Sequence, residues 1–194
     1  MTATYAALAL LVMLAGRIAS DAIFRSLGPG HKPNLALSLR HSGLYIGLAI
    51  AMTAALQGSA SGFVPGVVEI LRDGAVIVVA ILVAQKLSDW WVVPGLDNNQ
   101  AVADGNTAVA LTEFGSSVAT GMIASASFGG GEGSWLTAVV FFALGQLALI
   151  GCFWAQERLL PGSFVAEVAR GREGAGPSSR LRNGGVWCGV AAPW

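Results

Sequence analysis

Four polar side chains stand inside stretches that are otherwise fit for a bilayer: Arg40, His41, Glu113 and Gln146. Glu113 lies about two turns into an apolar run, and His41 holds the same place in a similar run 72 positions earlier, with Arg40 beside it. An unpaired charge near mid-bilayer costs about 2.5–3.5 kcal/mol on insertion scales, so such residues face the protein interior, where they pair or line a pathway. Glu113 should face the earlier run, with His41 or Arg40 as its partner; a His41–Glu113 pair would lower the cost of both and could exchange a proton near neutral pH. Gln146 adds a neutral hydrogen-bonding group, which would extend the pair into a polar track. The plainer reading is structural: Arg40 and His41 snorkel to a surface a turn or two away. The structural reading is preferred to transport.

Other chemistry has no visible basis. There is no HExxH, no Cys/His cluster and no GxxxxGK[ST], so neither a metal, a nucleotide nor another cofactor is expected. The run from Gly129 to Gly133 lacks a following Lys-Ser/Thr and reads as a flexible link. No nucleophile elbow is present, so an enzyme is not expected. Cys152 lies in an apolar run and Cys188 in a polar tail, so no structural disulfide is expected. Eleven basic and eleven acidic residues cancel, which argues against nucleic acid as a partner.

These side chains must be carried by membrane helices. Of the 194 residues, 54% are hydrophobic and 11% charged, against about 25% charged in soluble domains. The mean hydropathy is +0.65. A spanning helix needs about 20 mostly apolar residues, because the hydrocarbon core is about 30 Å thick. Five stretches qualify: 5–24, 35–56, 68–93, 107–128 and 135–156. The third is the weakest, since Glu69, Arg72 and Asp73 occupy its first turns. The first has no Lys or Arg before it, which favours a retained helix over a cleaved signal peptide. Arg25 and Lys32, then Lys86, then Arg158, Arg170, Arg172, Arg180 and Arg182 all fall on one side of a five-span chain. The positive-inside rule then places the N-terminus outside and the C-terminus in the cytoplasm. Trp90, Trp91, Trp135 and Trp154 lie near span ends, as interfacial tryptophans do.

An internal repeat organises the spans. Residues 34–39 (Asn-Leu-Ala-Leu-Ser-Leu) align with residues 106–111 (Asn-Thr-Ala-Val-Ala-Leu), a step of 72 that also superimposes Gly43 on Gly115. Asp21 meets Asp89 and then Glu157 at steps of 68. The unit is a helix ending in an acidic residue, a polar link, an Asn, and a small-residue helix returning outward. Two spans per unit make the repeats parallel. Asn34 and Asn106 sit where N-caps belong, and capping is preferred to ligand binding. Gly43, Gly47, Gly115 and Gly121 form small-residue rows that let helices approach closely, within one molecule or between copies. Ser116, Ser117, Thr120 and Ser125 offer a polar lining as the less favoured alternative.

The blocks Leu96–Asn99, Asp104–Leu111 and Glu113–Gly121, with Phe141–Gln146 and Glu157-Arg158, resemble the bacterial domain of unknown function 350 family, whose inner-membrane members are also grouped as uncharacterised protein family 0719. The resemblance covers roughly residues 15–170. It implies tandem two-helix units in the bacterial inner membrane and supplies no catalytic residues. After Gly171 the family pattern leads to another Asn-led return helix, but here the chain is Gly/Ser/Arg-rich; a frameshift or a natural truncation would explain the change. The expected fold is an all-α, five-span membrane bundle. Its units are 1–60, 61–130 and a half unit 131–170, followed by a poorly ordered tail 171–194. The expected function is structural or accessory, with lipid and either further copies or another membrane protein as partners. The competing function is a small channel or transporter subunit using Glu113, His41 and Gln146.

Overall fold

The computed structural model describes residues 2–23, 34–57, 62–91, 97–129, 135–159 and 168. The tail 171–194 and the link bearing Arg25 and Lys32 lie outside the described residues, as do the side chains of Trp90 and Trp91. Among the described residues there are six helices and no strand: α1 Thr2–Ile23, α2 Leu35–Gln57, α3 Phe63–Trp91, α4 Asn98–Ala103, α5 Thr107–Phe128 and α6 Trp135–Leu159. The five long helices fall on the five apolar stretches. Three of them, α1, α2 and α6, are long and apolar enough to cross a membrane by length and composition. Helix α3 carries Glu69, Arg72, Asp73 and Lys86, and α5 dilutes its apolar residues with Gly, Ser, Thr and Glu113.

Helix α4 falls in a segment that the sequence suggests is only a polar link. Asp97 caps its start by accepting from the Gln100 amide. Its end is closed by two backbone bonds, Gly105 N–H to Val102 O and Asn106 N–H to Ala101 O, the Schellman pattern. Gly105 adopts φ +88°, a left-handed conformation that reverses the chain at little cost only in glycine. Asn106 follows at once and caps α5.

The most extensive helix contact joins α2 to α5, with α1, α3 and α6 packed outside that pair. It is close because side chains are missing there. A Cβ on Gly43 would lie 2.5 Å from Phe114 Cα, one on Gly47 would strike the Ser117 carbonyl oxygen, and one on Gly121 would strike the Gly47 carbonyl oxygen. In lipid such close approach, rather than expulsion of water, is what holds helices together. Around the crossing, Leu48, Ala51 and Met52 of α2 meet Ile77 and Ile81 of α3, with Ala124 of α5 and Phe142 of α6 in the same cluster. Gly115 departs from expectation, since nothing lies within 4 Å of a Cβ built there. The residues of α5 that meet the α2 glycines are Phe114, Ser117 and Gly121, and Gly115 stands on another side of the helix.

The outer helices differ. Helix α6 buries only Phe142 and Gln146, and it exposes Leu136, Phe141, Leu144 and Leu147, each by more than half. Helix α1 exposes Leu10, Leu11, Leu14 and Ile18. Apolar surface on this scale is costly in water and costs nothing in hydrocarbon. Helix α3 is more enclosed, with Ile70, Ile77, Val78, Ile81 and Ala84 buried.

The glycines separate into two groups by stability. Gly47→Ala and Gly121→Ala each force the α2 and α5 backbones apart and should destabilise the protein by about 1–3 kcal/mol or more, as overpacking does. Gly115→Ala should be neutral or stabilising by about 0.5–1 kcal/mol, because alanine favours a helix interior. Thermal melts in detergent check the contrast, and equal losses at all three positions would contradict it.

Candidate functional site

Arg17, Asp21, Arg40, His41 and Glu113 lie toward the α4 end of the bundle, whereas Arg72 pairs with Asp73 near the opposite end, over the Trp135 ring. Arg40 Nε lies 2.8 Å from Glu113 Oε2, joining α2 to α5, with the two side chains only 16% and 13% exposed. Arg40 Nη1 also donates to Asn99 Oδ1 on α4 at 2.7 Å. One guanidinium thereby ties three helices together, using the planar fork of donors that a lysine lacks. Arg40 does not snorkel away from its neighbours, as one reading of the sequence allowed.

His41 is not the partner of Glu113. It follows Arg40 directly, so its side chain points about 100° away around the helix. It faces α1, where its Nε2 stands 3.8 Å from Asp21 Oδ1. Asp21 is held by Arg17 at 2.9 Å, and Arg17 Nη1 donates to the Tyr45 hydroxyl at 3.0 Å. Equal depth in the repeat therefore does not place His41 and Glu113 on facing sides. It gives each an environment of its own.

The two asparagines cap their helices and do more. Asn34 Oδ1 accepts from Leu37 N–H at 2.7 Å, while its Nδ2 donates to the Val102 and Ala103 carbonyls at 3.1 and 2.9 Å. Asn106 Oδ1 accepts from Ala108 and Val109, and its Nδ2 donates to the Val168 carbonyl at 3.0 Å. Each amide uses its acceptor for its own helix and its donors for a segment more than 60 residues on. Val102, Val109 and Val168 form a small apolar cluster with Ala36, Ala101 and Ala110 over these bonds.

Deeper in the bundle the polar groups are neutral. Gln146 is buried, and Thr120 Oγ1 donates to its Oε1 at 3.4 Å. Gln85 Nε2 of α3 donates to Ser117 Oγ at 3.3 Å. Thr53 and Ser125 share a hydroxyl contact at 3.0 Å. Among the described residues no group of three or more His, Cys, Asp or Glu could hold a metal ion.

Gln85, Tyr45 and Asn99 are participants that the sequence reading did not select. A signal existed for two of them. The step of 68 carries Arg17 to Gln85 and the step of 72 carries Tyr45 to Ser117, and both pairs are hydrogen-bonded. Nothing in the spacing points from Arg40 to Asn99.

The family model described as Domain of Unknown Function (DUF350) matches residues 1–128 of the 194, and the chain belongs to that family. No curated protein and no solved structure matches it.

The geometry makes Arg40, not His41, the energetic partner of Glu113. Glu113→Leu leaves a buried guanidinium without its counter-ion and should cost about 3–5 kcal/mol. Glu113→Gln should cost less, because the amide oxygen still accepts. In double-mutant cycles, the Arg40–Glu113 coupling should reach about 1–3 kcal/mol and the His41–Glu113 coupling should stay near zero. Denaturation in detergent measures both, and the reverse ranking would remove the assignment.

Proposed function

We propose that this DUF350 member is a non-enzymatic, multi-pass protein of the bacterial inner membrane with a structural or accessory role. The observation that carries this reading is the use of the intramembrane charges. Arg40 and Glu113 join α2, α4 and α5, and Arg17, Asp21 and His41 join α1 to α2. Groups engaged in fastening helices are poorly suited to exchanging a solute. Exposed apolar residues on α1 and α6 support a lipid surround.

The proposal includes five spans, with α3 and α5 crossing beside the three more apolar helices. Their polar residues are tolerable there because Glu113, Ser117 and Thr120 turn toward other helices and the charges of α3 lie near its two ends. It also includes parallel two-helix units, α1–α2 and α3–α5, with α6 opening a third. The paired contacts Arg17–Tyr45 and Gln85–Ser117 support that organisation, as do the paired ties from Asn34 and Asn106. The N-terminus would lie outside and the C-terminus in the cytoplasm, following the basic residues.

Topology and activity can be tested separately. Reporter fusions after Arg25, Gly62, Asn98, Gly131 and Arg170 should alternate, beginning and ending cytoplasmic; a periplasmic signal at Arg170 would refute the five-span arrangement. Reconstituted in proteoliposomes, the wild-type chain should carry ions and small neutral solutes no faster than empty vesicles. Flux abolished by Glu113→Gln in a variant that still folds would replace the structural reading with a channel or transporter.

A further inference from the structure

We infer that the junction of α3, α5 and α6 is a binding site for one internal water molecule, held between the side-chain amides of Gln85 and Gln146. Both amides are half used. Gln85 donates to Ser117 Oγ, which leaves its buried Oε1 without a partner. Gln146 accepts from Thr120 Oγ1, which leaves its buried Nε2 without a partner. Gln146 is only 6% exposed and stands near the middle of α6, far from either helix end. A buried amide atom with no hydrogen bond is unfavourable, and the cost is greater at bilayer depth, where no bulk solvent is near.

The leftover atoms are complementary: one acceptor and one donor. Their anchors, Ser117 and Thr120, are three residues apart on α5, a rise of about 4.5 Å. Both amides therefore meet the same stretch of α5, and a single water, with two hydrogen bonds of about 2.9 Å each, would join them by donating to Gln85 and accepting from Gln146. With oxygen and nitrogen exchanged in either amide, each Gln still has one polar atom over, and water can serve as donor or acceptor. The site extends beyond the structural role proposed above and does not depend on it.

Water itself is the probe. The full chain, with labelled glutamine side chains, is placed in bilayers of deuterated lipid, and magnetisation transfer from water to the amides is measured by solid-state NMR. Both Gln85 and Gln146 amides should receive magnetisation as quickly as surface amides do. In the Gln146→Met variant, close in shape but without hydrogen bonds, the transfer at Gln85 should be lost. The melting-temperature losses of Gln85→Met and Gln146→Met should be non-additive, the double variant losing little more than the worse single one. Dry amides in the wild-type protein would overturn the site without recourse to any variant. Transfer at Gln85 that persists in Gln146→Met, or additive losses, would overturn the shared water.

Discussion

The backbone contact between α2 and α5 is the constraint that the other packing follows. Gly47 and Gly121 meet with no side chain between them, and Gly43 lets Phe114 approach in the same way. Two helices this close can bring Arg40 within 2.8 Å of Glu113 and Thr53 within 3.0 Å of Ser125. Wider separation would leave Glu113 buried among apolar neighbours with its counter-ion out of reach. The small residues and the charged pair therefore act as one device: the first sets the distance, and the second depends on it.

The bundle manages its polarity by depth and by face. Charges gather toward the two ends, neutral amides and hydroxyls lie between them, and aliphatic and aromatic side chains cover α1 and α6. This gradation follows from desolvation, since a charge is most costly where the hydrocarbon is deepest and an amide is less so. Helices α3 and α5 are less apolar than α6 because they sit among other helices. Helix α6, with most of its surface uncovered, has no such shelter and carries no acidic or basic residue before Glu157.

Much of the fold was legible because helix length and apolarity are local properties of the chain. The five long helices fall on the five apolar stretches, and α5 spans the same residues, Thr107–Phe128, as the fourth stretch. The caps at Asn34 and Asn106 were legible for the same reason. Which of Arg40 and His41 pairs with Glu113 was not. The repeat fixed the depth of His41 and Glu113, but rotation about the helix axis decides which neighbour a side chain meets, and there Arg40 prevailed. Gly115 misled in a related way: it repeats Gly43 in sequence, yet the contact between successive helices uses different faces of each. Helix α4 escaped notice because six residues are too few to show a period.

The double use of Asn34 also bears on the order of assembly. Its side chain begins α2, but its amide hydrogens are satisfied by carbonyls 68 and 69 residues later in the chain. A nascent chain that has emerged only as far as α3 holds α2 with that amide still open. The first hairpin becomes complete only when α4 has folded over it, and Asn106 passes the same dependence on to Val168. Both asparagines thus depend, for their amide donors, on segments that are synthesised later.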